Sequence, residues 1–251
     1  MTRAPSLTSG ALETLHAEIS GCRACEMVGH LTHARPVAGR QGPRDARIMV
    51  IGQAPGRITA ERGLMFSGPS GGALERWLQR AGFASGALRR DVYLSALTRC
   101  DPGRSPKGRG DRKPSPPEVA LCRPWLEREI AIVGPRVILL VGGMAIEAFL
   151  GPTRLDDIVG HVVERDGVTL IPLPHPSGVS RWLNDPERQA LVARALERLS
   201  ALRAEWETEE AASDKPNPPA SPSFLKTWGT ESFSRGGTAH ERRARDSSEN
   251  G

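Results

Sequence analysis

"RIMVIG" (47–52) is an apolar run that closes on a glycine, and it reads as a strand. Three more runs share its character: "VYLSAL" (92–97), "RVILLVG" (136–142) and "VTLIPL" (168–173). Helical patterns separate them. The clearest begins near Ser70, sets Leu74, Trp77, Leu78 and Ala81 on one face, and stops at Gly82. Another opens at "SPPE" (115–118), where Ser115 can cap, Pro116 suits the first turn and Glu118 completes a capping box. It runs to "GP" at 134–135 and carries Cys122 on a face shared with Val119 and Leu126. A last helix starts near "NDPE" (184–187) and extends to about Leu202. Strands alternating with helices predict an α/β fold built on a mainly parallel sheet.

A chain of 251 residues suits one domain plus a tail, with room for a packed core. The net charge of +5 and an isoelectric point near 9.4 lean towards an anionic partner, nucleic acid first. No apolar leader segment opens the chain and no stretch has the length of a membrane span, so the expectation is a cytoplasmic protein, monomeric by default. Beyond about residue 206 the composition turns to Pro, Ser, Glu and Arg with few apolar anchors. This predicts a folded domain over 1–205 and a disordered polar tail over 206–251.

In a cytosolic chain the four cysteines, Cys22, Cys25, Cys100 and Cys122, are ligands or reactive thiols rather than disulfides. Cys22 and Cys25 form a C-x-x-C pair whose thiolates can grip one metal or cluster, while two distant thiolates close the coordination sphere. On spacing alone, zinc and a [4Fe–4S] cluster both fit.

Ligands of an open parallel sheet bind beyond the carboxyl ends of its strands. Two unusual turns fall at such ends: "GQAPG" (52–56) after the first run and "PHPSG" (174–178) after the fourth. Gly and Pro make both turns tight and let backbone N–H groups face a ligand. Two prolines flank His175, fixing their own φ and biasing the residues before them to extended backbone, so the imidazole is firmly held. "ERGLMFSGPSGG" (61–72) sets Phe66 among small residues, either as a core plug beneath the loop or as a stacking surface for a planar ligand. "DPGRSPKGRGDRKPSPP" (101–117) is basic and rich in Gly and Pro. It is either a solvated connection or a loop whose Arg104, Lys107, Arg109, Arg112 and Lys113 meet phosphates.

A strand leading into "GQAPG", ten residues ending in Phe66, "SG", four spaced cysteines and a late "HPS" together resemble the uracil-DNA glycosylase superfamily. The cysteine pattern resembles its iron–sulfur branches. The resemblance covers about residues 12–205. It implies an α/β three-layer sandwich with a central four-stranded parallel sheet flanked by helices. It also implies DNA containing uracil as partner, and a structural [4Fe–4S] cluster on Cys22, Cys25, Cys100 and Cys122. Residue by residue, Gly52, Gln53, Ala54, Pro55 and Gly56 would shape the pocket for water and base, and Phe66 would stack on the base. His175 would hydrogen-bond the uracil carbonyl. Ser177, Gly178, Val179, Ser180 and Arg181 would enter the minor groove, with Val179 at the place of an apolar wedge and Trp182 a bulkier candidate nearby.

The chain departs from the family pattern in two places, at residues 53–54 and at residue 96. Gln53 and Ala54 stand where well-studied members put a carboxylate or an asparagine. Ala96 stands where iron–sulfur relatives often have asparagine. The expectation is that Gln53 positions water, that Glu61 is the nearest candidate base, and that Ser95 or backbone groups take over recognition beside Ala96. Two other readings stay open: a glycosylase for hypoxanthine, xanthine or a damaged pyrimidine, and a DNA-binding relative without catalysis.

Overall fold

The computed structural model describes residues 9–38, 41–106, 110–176 and 181–212. Its strands are β1 (Ile48–Gly52), β2 (Val92–Ala96), β3 (Val137–Val141), β4 (Val163–Arg165) and β5 (Val168–Leu173). Its helices are α1 (Ser9–Ser20), α2 (Ala24–Met27), α3 (Arg57–Arg62), α4 (Pro69–Arg80), α5 (Ala87–Arg90), α6 (Pro116–Val133), α7 (Gly143–Leu150), α8 (Leu155–Ile158) and α9 (Pro186–Ala212), with a 3₁₀ turn at Arg181–Asn184. Among the described residues no helix is long and apolar enough to cross a membrane.

The strands form one sheet in the order β2-β1-β3-β5-β4. The four predicted runs are its parallel strands, with Gly52 opposite Ala96 and Ile51 opposite Leu140. The sheet has five strands, not the predicted four. The fifth, β4, lies antiparallel to β5 and is only three residues long. Asp166 (φ 49°) and Gly167 (φ 80°) join the two, both left-handed, as a two-residue hairpin turn of the primed kind requires. The "DG" at 166–167 carries that signal, but the short half-exposed segment before it lacks the apolar run that marks the others.

Every residue of β1, β2, β3 and β5 is buried, which is why these segments are apolar throughout rather than alternating. Successive residues feed opposite faces. Ile48, Val50, Leu94 and Leu139 meet Leu74, Trp77 and Leu78 of α4 and Val192, Leu196 and Leu199 of α9. Met49, Ile51, Tyr93 and Leu140 meet Leu12, Leu15 and Ile19 of α1, Leu126 and Ile130 of α6, and Ile146 and Phe149 of α7. Helices therefore cover both faces of the sheet.

α6 begins with the predicted capping box, Glu118 accepting from the backbone N–H of Ser115 at 2.7 Å and from its hydroxyl at 2.8 Å, and ends at left-handed Gly134. α9 continues through residue 205 to Ala212 and buries Trp206, whose ring lies under the Arg47 guanidinium at 5.8 Å. Residues 213–251 lie outside the described residues.

From β1 the chain passes to β2 on one side and then to β3 on the other. The carboxyl ends of β1 and β3 thus flank the topological switch point, where a crevice opens in sheets of this kind.

Candidate active site

The turn at 52–56 leaves β1 at that crevice. Gly52 and Pro55 are buried, and Gln53, Ala54 and Gly56 are half-buried. The amide of Leu97 donates to Gly52 O at 2.9 Å and that of Thr98 to Gln53 O at 3.3 Å, so the end of β2 holds the turn in place. Ala96 lies buried beside it on the Gly52 face.

Phe66 faces this turn. A Cβ on Gly52 would stand 2.9 Å from its Cζ, so the ring tip rests on the glycine. The backbone of Phe66 is left-handed, with φ 52°, a conformation that costs a residue with a Cβ roughly 1–2 kcal/mol. Its surroundings hold it there. Arg89 Nη2 donates to Phe66 O at 3.0 Å, and Gly71 in the first turn of α4 leaves that carbonyl room that any side chain would fill. Strain maintained in this way is a mark of functional positions.

His175 follows β5. Gly142, the residue between β3 and α7, has φ 91°, and a Cβ there would stand 3.5 Å from His175 Cβ and 3.6 Å from its Cδ2. The imidazole therefore packs over the end of the neighbouring strand. It is solvent-exposed, yet surrounding protein desolvates it and holds its pKa below the ordinary histidine value. Exposure together with crowding is the signature of a cleft. β1 and β5 are separated only by β3, so their carboxyl ends stand about 10 Å apart and Phe66 and His175 come to the same edge of the sheet.

The other expected residues are distributed as follows. Glu61 lies on the solvent face of α3 and pairs with Arg57 at 2.7 Å. Ser95 points to the other side of the sheet, where its hydroxyl donates to Glu129 at 2.9 Å and accepts from Arg99 at 2.9 Å. Glu129 and Arg99 form a buried ion pair there, joined by Tyr93, which donates to Glu129 at 3.0 Å. Arg181 is exposed on the 3₁₀ turn. Trp182 donates its indole N–H to Asp156 at 2.8 Å and lies under Arg188, which ties it to the fold. Ser177, Gly178, Val179 and Ser180 lie outside the described residues, as do Lys107 and Arg109. Arg112 grips Glu118 through two bonds of 2.6 Å, while Arg104 and Lys113 are exposed.

Three further residues at the site are given no role by the sequence. Thr98 and Ser67 each bury a hydroxyl without a partner, one beside Gln53 in space and one beside Phe66 in the chain. Asp111 reaches the turn from the basic loop, its Oδ2 standing 2.7 Å from where a Cβ on Gly56 would lie. Only the tertiary fold joins residue 111 to residue 56; a basic, Gly-rich loop gives no sign of its acid's direction.

The four cysteines are free thiols, three of them buried. Burial, with the neighbouring thiols adding to it, pushes Cys25 up to about 11 and Cys100 up to about 12, and raises Cys122 as well. Cys25, Cys100 and Cys122 each feel neighbouring thiols, so the C-x-x-C segment, the end of β2 and α6 lie near one another here. The amides of Arg35 and Arg99 donate to the sulfurs of Cys100 and Cys122, and Arg99 Nε and Nη1 are buried without partners. Backbone donors to two buried sulfurs, with a guanidinium nearby, suit an anionic all-thiolate centre. Among the described residues no group of three or more His, Cys, Asp or Glu side chains stands in a metal-holding arrangement.

Residues 40–200 match the family described as the uracil DNA glycosylase superfamily. The chain is 30% identical over 184 residues to the type-4 uracil-DNA glycosylase of Thermotoga maritima, covering 72% of this chain and 89% of that one. It is 32% identical over 178 residues to the type-4 uracil-DNA glycosylase of Archaeoglobus fulgidus, covering 67% and 83%. Over 128 residues it is 39% identical to the type-5 uracil-DNA glycosylase of Thermus thermophilus, covering 47% and 55%. With this match across the sheet and both strand-end turns, the chain belongs to the uracil-DNA glycosylase superfamily.

Proposed function

We propose that the protein is a monofunctional DNA glycosylase that hydrolyses the N-glycosidic bond of uracil in DNA, in base excision repair. The observation that carries this reading is the approach of Phe66 and His175 to two glycines, Gly52 and Gly142, on either side of the switch point. The base flips out of the duplex at a cost of a few kcal/mol, and stacking on Phe66 offsets part of it. Cleavage of the bond between C1′ and N1 leaves an oxocarbenium-like sugar and a uracil anion. His175, kept neutral by its surroundings, donates a hydrogen bond to uracil O2 and stabilises that anion as it forms. Gln53 and the backbone of its turn position water, and Arg181 with residues 177–180 meets the minor groove. The protein acts as a monomer in the cytoplasm, through its one α/β domain, with the polar segment beyond as a tail.

Cys22, Cys25, Cys100 and Cys122 would hold a [4Fe–4S] cluster. All four donors are thiols, and the amides of Arg35 and Arg99 and the orphaned donors of Arg99 support an anionic centre there. When bound, the cluster supplies a cross-link that closes very long chain loops between the N-terminal segment, the basic loop and α6. Purified protein should be brown, with absorbance near roughly 400 nm that is lost in Cys122→Ser. A colourless protein carrying one zinc would replace the cluster with a zinc scaffold.

One observation favours a second reading, release of another deaminated base. Ala96 offers the base edge no polar side chain, and Ser95 is engaged on the far side of the sheet. The deciding experiment is base release from oligonucleotides containing U·G, U·A, hypoxanthine or xanthine, with His175→Ala alongside. Uracil release that falls by about 10²–10³-fold in the variant is expected. Release of a purine instead moves the function to the second reading, and DNA binding without any release leaves a non-catalytic relative.

A further inference from the structure

The active-site turn has no acid of its own, since Gln53 and Ala54 cannot accept a proton from water. Glu61, the nearest carboxylate in sequence, is paired with Arg57 on the outer face of α3. The carboxylate that touches the turn in space is Asp111. Gly56 leaves a gap, and Asp111 Oδ2 fills it. We propose that Asp111 orients and deprotonates the attacking water, reaching the active site from the basic loop across the gap at Gly56.

The loop is built to hold this carboxylate still. It folds back on itself through a bridge between Arg104 and Asp111, with the Ser105 amide donating to Gly110 O at 3.1 Å and the Arg112 amide to Gly103 O at 2.9 Å. Asp101 caps the loop's start by accepting from the Gly103 amide at 2.8 Å. Arg112, the next residue, is clamped on Glu118 at the start of α6. Asp111 is therefore fixed from both sides, the condition a catalytic group needs.

Its charge environment suits a base. Although the residue is exposed, nearby protein atoms desolvate its carboxyl and, with the neighbouring Asp101, raise its pKa above the ordinary aspartate value, while Arg104 and Arg57 pull the other way. A base must accept a proton readily and still be ionised at working pH, and opposing neighbours of this kind produce that balance.

The inference rests on the glycosylase reading and balances as a hydrolysis. The C1′–N1 bond breaks and its electron pair leaves with uracil. The water oxygen bonds to C1′, and its proton passes to Asp111 Oδ2. Asp111 then returns that proton to the uracil anion, directly or through solvent, so one water is consumed and uracil and an abasic site are formed.

The test uses the full chain as purified, with Asp111→Asn and Asp111→Glu. Single-turnover uracil release and affinity for an oligonucleotide carrying an uncleavable 2′-fluoro deoxyuridine are measured together. Asp111→Asn should slow release by about 10²-fold or more with affinity for the analogue unchanged, and Asp111→Glu should recover part of the rate. The acid limb of log rate against pH should lose one proton's dependence in Asp111→Asn, leaving the limb that belongs to His175. An Asp111→Asn rate within a few-fold of wild type, beside an inactive His175→Ala, overturns the proposal while the glycosylase reading stands. Equal losses of rate and analogue affinity also overturn it, because they make Asp111 a binding residue. Wild-type protein that releases no base removes the glycosylase reading and this proposal together.

Discussion

Phe66 occupies the space that a side chain at residue 52 would need, its Cζ standing 2.9 Å from the position of a Cβ on Gly52. The pair meets across the turn that follows β1, where the backbone of each partner is held and only the ring has freedom to move. Gly52 is fixed in register opposite Ala96, and Phe66 is fixed by Arg89 and by the gap at Gly71. Gly52→Ala should therefore push the ring out of the crevice without unfolding the sheet. Base stacking on an aromatic ring contributes about 1–3 kcal/mol, so Phe66→Ala and Gly52→Ala should each lower uracil release by about 10–100-fold. Single-turnover rates with a melting curve for each variant test this. An active Gly52→Ala protein would show that Phe66 is a core plug.

Much of this arrangement is legible in the amino-acid sequence. β1, β2, β3 and β5 announce themselves because strands buried on both faces must be apolar throughout. The two strand-end turns follow from Gly and Pro, whose backbone preferences are local. β4 escapes notice because three residues with one exposed face carry too little hydrophobic signal, although the left-handed turn at Asp166 and Gly167 is written in the chain. The side-chain directions of Ser95 and Asp111 are hidden for a different reason. Ser95 faces α6 because the pleat alternates, which puts its side chain on the other face of the sheet from Ala96, and only the register of β2 decides which face that is. Asp111 meets Gly56 across 55 positions of chain, a relation that loop composition cannot encode.

Acid should loosen the start of α6. Glu118 is buried and accepts two bonds from Arg112 as well as those of its capping box, and the Arg112 bonds foremost hold its carboxyl down at about 2. The folded value is depressed below that of an unfolded glutamate, about 4.3, so the stabilisation is complete above that value and is lost as pH falls towards 2. A shift of this size corresponds to roughly 3 kcal/mol. Glu118→Gln should cost about 2–3 kcal/mol in urea unfolding at neutral pH, and the difference from wild type should shrink towards zero near pH 2. A gap independent of pH would assign the loss to packing instead.

Behind the sheet, Arg99 and Glu129 are 2% and 1% exposed and face each other between β2 and α6. Two charges this deep attract strongly, but each has lost its hydration, so the pair as a whole adds little to stability. Breaking it is another matter. Glu129→Ala takes the paired carboxylate from a buried guanidinium, two of whose nitrogens already lack protein partners. The single variant should lose about 3–5 kcal/mol, measured by chemical denaturation. Glu129→Leu combined with Arg99→Met removes both charges and should recover most of that loss, because apolar side chains of similar size fill the same space. If the double variant is as unstable as the single one, the ion pair is not what those positions contribute. The cause would then lie with the hydrogen bonds that Ser95 and Tyr93 make to Glu129, which the double variant also removes. Ser95→Ala alone tests the hydrogen-bond explanation: a loss of about 1.5–3 kcal/mol is expected, since its hydroxyl bonds both the Glu129 carboxylate and the Arg99 guanidinium.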